Sequence, residues 1–262
     1  MKKSIILLSV LALGFAANAQ VYERTPRKYD FELSDIARRI TPVLSFNANM
    51  HADGWIWKEG RSSALVEKGK PADFYEINKI NDEDGEGANA RTAWVEGVQG
   101  DGIGEWVMIP VGTNDSDTRW HFSGNGEGGN LKVCLSVENG YQQSKDLYLK
   151  NNRVKEAKIS IYAAAFSAGQ DDAYLLWNPD CIHEEVITLC NEIAPEPFYF
   201  NSSYKEFFMS LPEKYSTEHI QLFLRLEIMS VYKGTKYSDT CISNMSAMVY
   251  WMDEGTGWVT EG

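Results

Sequence analysis

The chain has 262 residues, 44% hydrophobic and 12% aromatic, with 37 Asp and Glu against 25 Lys and Arg and a net charge of −12. This acidity repels phosphate backbones, whose binding depends on Lys and Arg contacts, and so argues against a nucleic-acid partner. After the first nineteen residues no apolar run reaches the roughly 20 residues a membrane-spanning helix needs, so no transmembrane segment is expected.

In chain order, residues 1–19 open with Lys2 and Lys3, continue through an apolar run from Ile5 to Phe15, and end on Ala17, Asn18 and Ala19. That is the layout of a secretory signal peptide. It predicts an exported protein, periplasmic or at the cell surface, that starts near Gln20 and carries 23 basic against 37 acidic side chains, a net charge of −14. Residues 20–58 read as a short N-terminal extension packing on the domain C-terminal to it. They hold the one amphipathic helical pattern, LSDIARRI at 33–40, stopped by Thr41 and Pro42.

Residues 59–252 then read as strands. EWVMIPV at 105–111, LKVCLSV at 131–137, VKEAKISIY at 154–162, AYLLW at 173–177, EVITL at 185–189, QLFLRLEIMSVY at 221–232 and MSAMVYW at 245–251 are rich in β-branched and aromatic residues. Gly, Asn and Asp clusters separate them and supply turns. Many short strands with almost no helix predict one all-β domain, a jelly-roll β-sandwich, followed by a tail at 253–262. The polar segments 78–90 and 112–130 are expected loops.

Export would place Cys134, Cys181, Cys190 and Cys241 in an oxidising compartment. Cys181 and Cys190, nine apart between prolines, are the candidate disulfide. No CxxC spacing points to zinc.

Several polar residues carry two readings. Gly100, Gly102 and Gly104 around Asp101 make a tight turn, and that turn either solvates Asp101 and Glu105 or points their carboxylates at a metal or a sugar hydroxyl. Asn139, Gly140 and Tyr141, then Asn152, Arg153 and Lys155, bracket an expected hairpin with its tip at QQSKDLYLKN. Amides and a guanidinium fork suit sugar hydroxyls and carboxylates. Equally, Asn and Gly can shape the turns, and Arg153 can lie buried, paired with Asp239. As a ligand contact, Arg153→Ala lowers affinity with little loss of fold; as a structural residue, it unfolds the chain. Trp94 and Trp106 sit at alternating apolar positions, which favours core packing over ligand stacking.

The stretch from Ser62, through Asp82 to Gly85, Thr92 with Trp94, and Gly104, Glu105, Trp106, resembles discoidin-like, galactose-binding-like carbohydrate-binding domains. More specifically, TAWVEGVQGDGIGEW, NGYQQSKDLYLKNNRVKEAKISI and LEIMSVYKGTKYSDTCISNM resemble the NADase-type glycan-binding domain, named for the non-catalytic domain of secreted NAD glycohydrolase toxins. The resemblance covers roughly residues 60–252. It implies a galactose-binding-like sandwich that binds glycans without catalysis. It also implies one structural calcium near Asp82, Asp84 and Thr92, where Asn244 stands in place of the family's Glu.

An enzyme finds little support, because HExxH, GxSxG and Walker motifs are absent and the four histidines are scattered. The remaining alternative is a surface module that binds another protein, since exposed aromatics serve sugars and proteins alike.

Overall fold

The computed structural model describes residues 60–80, 92–113, 122–123, 130–168, 174–192, 202–215 and 219–252. The expected extension at 20–58, the tail at 253–262, and Asp82 and Asp84 lie outside the described residues. The strands are β1 (Trp94–Val95), β2 (Trp106–Pro110), β3 (Gly112–Thr113), β4 (Phe122–Ser123), β5 (Asn130–Asn139), β6 (Asn152–Ala168), β7 (Tyr174–Thr188), β8 (Ser203–Ser210), β9 (His219–Tyr232) and β10 (Thr240–Met252). One α-helix, α1 (Lys145–Lys150), and 3-10 turns at Ile77–Ile80 and Glu213–Tyr215 complete the described elements.

Alternation explains why these segments are strands. In β5, Leu131, Val133, Leu135 and Val137 are all buried to 1% exposure or less, while on the other face Lys132 and Cys134 keep 8% and 9% exposure and Ser136 and Glu138 are only half-buried. In β6 the same inward parity is held by Ala157, Ile159, Ile161 and Ala163, and in β9 by Leu222, Leu224, Leu226 and Ile228. Period-two burial of this kind fixes register, because a slip by one residue would turn the whole apolar set to water. Each fully buried Leu, Ile or Phe contributes about 1.5–3 kcal/mol relative to leaving it exposed.

Hydrogen bonding runs in the order β2-β9-β6-β10-β5-β8. Nearly all of it is antiparallel, but β6 meets β10 in parallel only at Thr240↔Asn152 and Cys241↔Arg153. That short seam joins the β2-β9-β6 half of the sheet to the β10-β5-β8 half. Side chains from both halves, Ile159 and Leu224 from one and Leu135, Phe207 and Met245 from the other, then share a single core. The result is a two-layer all-β sandwich. Trp94 and Trp106 both belong to that core, and the Trp94 indole N–H donates to the Ser63 carbonyl at 2.9 Å.

Two expectations are corrected. Tyr174–Thr188 form one long strand, β7, and not the two strands expected at 173–177 and 185–189 around a loop. Pro179 is tolerated because β7 pairs only with β6 among the described residues, with a register shift between Ala163 and Ala165. Cys181 to Thr188 is therefore extended, and seven steps at about 3.3 Å span about 23 Å, far beyond the roughly 7 Å Cα separation a disulfide bridges. Cys181, Cys190, Cys134 and Cys241 are all free thiols.

Nor do residues 139–155 form a hairpin: β5 pairs with β8 and β10, β6 pairs with β7 and β9, and α1 connects the layers. Ser144 caps α1 by accepting from the Leu147 N–H at 3.2 Å, and Asp146 pairs with Lys150 one turn on at 2.5 Å.

Candidate binding cleft

Where the chain enters β10, the segment from Leu65 to Tyr75, strand β1, α1 and the loop before Asp239 enclose a cleft of about 270 Å³. Its aromatic lining is Phe74, Tyr75, Tyr141 and Tyr237, and Leu65, Val95 and Leu147 add apolar surface. Glu67, Lys70, Gln143, Asn151 and Asp239 supply polar groups. The surface it presents is more polar than apolar, unlike the mostly apolar lining usual for small-ligand sites, with its rings set among several polar groups.

Local chemistry sets the rings. Phe74 and Tyr75 meet edge to face at 4.8 Å between centroids, and Tyr75 meets Tyr141 at 6.4 Å and 85°. The Tyr75 hydroxyl donates to Glu67 Oε2 at 2.8 Å. Burial first, then this bond and the Glu67 charge, push the Tyr75 hydroxyl far above its ordinary value; burial likewise raises Tyr141. Both phenols stay protonated, the Tyr75 proton being given to Glu67. Lysine ammoniums sit over two rings, Lys70 over Phe74 at 4.5 Å and Lys236 over Tyr237 at 4.7 Å. Asp239, 1% exposed, closes the cleft at the start of β10, and its carbonyl accepts from the Asn152 N–H at 2.9 Å.

Of the residues singled out in the sequence, Tyr141 and Asp239 line this cleft. Beside it lies a buried polar cluster that takes up most of the others. Arg153, 6% exposed, donates to the Tyr148 carbonyl at 2.8 Å, the Asn151 carbonyl at 2.9 Å and Asn191 Oδ1 at 2.7 Å, and it stacks on the Tyr148 ring at 4.9 Å. Burial holds its guanidinium below the usual range. Asn139 accepts from the Val154 N–H at 2.9 Å and donates to the Val154 carbonyl at 2.7 Å, an amide standing in for a ladder partner. Asn152 donates to the Ser238 carbonyl at 2.7 Å and to Asp101 Oδ1 at 3.1 Å, and accepts from the Gly234 N–H at 2.8 Å. These side chains organise backbone, the structural one of the two readings that the sequence leaves open for them. Gly140 is part of the same arrangement: at φ 81°, a Cβ there would lie 2.6 Å from Arg153 Cγ.

The Asp101 turn divides likewise. Asp101 reaches the surface, pairs with Lys233 and is held below the usual carboxylate range chiefly by that ammonium. Glu105, 3% exposed, points inward and accepts from Ser62 Oγ at 2.5 Å and from Ser63 Oγ. Lys155 is exposed, away from the cleft lining.

Sequence reasoning passed over Glu96, which is fully buried. It accepts from the Val98 N–H at 2.7 Å and the Thr240 N–H at 3.2 Å, and burial, with Asp239 and Glu105 adding to it, pushes its carboxyl up to about 8.

Of the calcium candidates, the Thr92 hydroxyl donates to the Lys79 carbonyl at 3.0 Å, and the Asn244 amide hydrogen-bonds to Glu138. Continuing the β1–β10 register from Trp94↔Ile242 sets Thr92 opposite Asn244. Burial holds Glu138, the one carboxylate in that row, above its ordinary value. Calcium takes six to eight oxygens, and this row alone falls short of that number. Among the described residues, no group of three or more His, Cys, Asp and Glu is disposed to hold a metal ion.

Strand order and shared core define a discoidin-like β-sandwich, the fold of F5/8 type C domains. The chain belongs to the family described as the NAD glycohydrolase translocation F5/8 type C domain, which matches residues 51–248. Two solved structures of Lys-gingipain adhesin domains from Porphyromonas gingivalis show a distant likeness. The K3 domain shares 13% identity over 53% of this chain and 74% of that one at a TM-score of 0.21; the K1 domain shares 11% over 55% and 79% at 0.20. No curated protein matches. No helix among the described residues is long and apolar enough to cross a membrane.

Proposed function

We propose that the chain is an exported, non-catalytic binding module whose cleft takes one ring of a glycan. The observation that carries this reading is the cleft itself, where Phe74, Tyr75, Tyr141 and Tyr237 surround the way to a buried carboxylate, Asp239. A sugar ring has C–H faces that pack on aromatic rings and hydroxyls that donate to carboxylates and accept from phenols. Membership in a translocation-domain family supports a role in binding over one in chemistry. A glycan array probed with residues 20–262, in calcium and in chelator, tests the reading. Specific binding supports it, and silence across the array overturns it.

Two further parts of the reading have their own tests. Export predicts a mature N-terminus at Gln20, read by sequencing the secreted or periplasmic protein; an intact Met1 overturns it. A structural calcium drawn from Asp82, Asp84, Thr92 and Asn244 predicts a rise in Tm with millimolar calcium by mass action, and no shift removes it.

One observation favours a protein partner as a second reading. On the edge strand β8, Tyr204 is 62% and Phe208 55% exposed, on one face with Glu206 between them. Loss of binding to a surface protein on Phe208→Ser, with glycan binding intact, would support it.

A further inference from the structure

The phenols of the cleft bear on which glycan it takes, an inference that rests on the glycan-binding reading above. Two of the lining phenols are buried, Tyr75 at 8% and Tyr141 at 7% exposure. The Tyr75 hydroxyl is engaged, donating to Glu67 Oε2 at 2.8 Å. The Tyr141 hydroxyl has no hydrogen-bond partner among the described residues. Nor is it sealed away: among those residues, the side-chain polar atoms that are both shut off from solvent and without a partner are His183 Nε2 and Arg225 Nε. The Tyr141 hydroxyl therefore opens on the cleft, and the free chain leaves it to solvent.

Its surroundings define the acceptor that suits it. Tyr141 belongs to a small apolar cluster with Leu65, Val95 and Cys241, apart from the main core, and Leu147 packs against that cluster. Burial keeps the phenol protonated, so it acts as a donor. A sugar hydroxyl could accept this proton, but it brings an O–H of its own that needs a partner beside an apolar wall. A carboxylate brings no such proton, but Glu67 and Asp239 line the same space, and the Glu67 charge already reaches the Tyr141 phenol. An acetamido group meets both demands. Its carbonyl only accepts and carries no charge, its methyl covers apolar surface, and its N–H points the opposite way from the carbonyl, toward the polar lining.

We propose that Tyr141 sets the specificity of the cleft by donating to the acetamido carbonyl of an N-acetylated sugar, whose methyl packs on Leu65, Val95 and Leu147.

NMR titration of the full chain with methyl glycosides in two matched pairs, N-acetylglucosamine against glucose and N-acetylgalactosamine against galactose, tests this. In at least one pair the acetamido sugar should bind about five- to tenfold more tightly, the size of one hydrogen bond with its methyl contact. Tyr141→Phe should erase most of that preference while leaving affinity for the hydroxyl sugar unchanged. It should also leave Tm unchanged, because the hydroxyl it removes holds nothing in the free chain. Tyr75→Phe removes a hydroxyl already given to Glu67 and should keep the preference.

Equal affinities within both pairs, a preference that survives Tyr141→Phe, a Tm lowered by that change, or a preference lost equally in Tyr75→Phe would each overturn the role of Tyr141 while leaving a glycan site in place. Binding of none of the four sugars would overturn it as well, and the array separates that result from failure of the glycan reading as a whole.

Discussion

The aromatic cleft and the Arg153 cluster lie side by side at the seam where β6 meets β10, yet they use polar side chains in opposite ways. Around Arg153, Asn139 and Asn152 the polar atoms are spent on backbone carbonyls and N–H groups. In the cleft, rings and carboxylates line an open space. Polar residues clustered in turns are thus scaffold when backbone partners saturate them, and candidate site where they line a concavity beside aromatic rings.

The largest expected effect that sharpens this contrast is on the scaffold side. Arg153→Ala should destabilise the fold by about 3 kcal/mol or more, because it orphans several buried carbonyls at once. A urea titration checks this, and a variant with wild-type stability would move Arg153 back to the ligand side.

Next is Glu96, which joins the two regions through Thr240. Its carboxyl titrates near 8 in the fold against 4.5 in the unfolded chain, so the folded state holds the extra proton between those values. Stability from this group is fullest below about 4.5 and falls as pH rises through about 8. Glu96→Gln should flatten that decline and stabilise the protein above pH 8 by about 2 kcal/mol, read from melts between pH 5 and 9. A decline unchanged in the variant would assign it to other groups.

The smallest effect is on the cleft side. Tyr237→Ala should change stability by less than about 0.5 kcal/mol, since the ring is only partly buried. It should nonetheless weaken glycan binding about tenfold through lost ring contact. A loss of fold in place of affinity would blur the division between the two regions.

Much of this architecture was legible in the chain. Alternation in LKVCLSV and QLFLRLEIMSVY marked β5 and β9, and the apolar setting of Trp94 and Trp106 placed them in the core. What stayed hidden depended on partners distant in sequence. Nothing local told that Pro179 would sit in an edge strand at a register shift, and so that Cys181 and Cys190 would be drawn apart. Glu105 read as a turn carboxylate because the serines that hold it, Ser62 and Ser63, are more than forty residues earlier. A small part of the cleft was within reach: Tyr141 and Asp239 were singled out. Phe74 and Tyr75 in GKPADFYE, and Tyr237 in YKGTKYSD, were passed over although aromatics inside Gly, Pro and Asp turns are a usable signal.

The central claim is that the cleft, and not the exposed face of β8, is where the ligand sits. Backbone amide shifts recorded by NMR during titration with a glycan that binds on the array test it most directly. The account predicts that the shifts gather at residues 65–75, 141–151 and 237–240. Shifts gathered instead around Tyr204 and Phe208, with those segments silent, would contradict it.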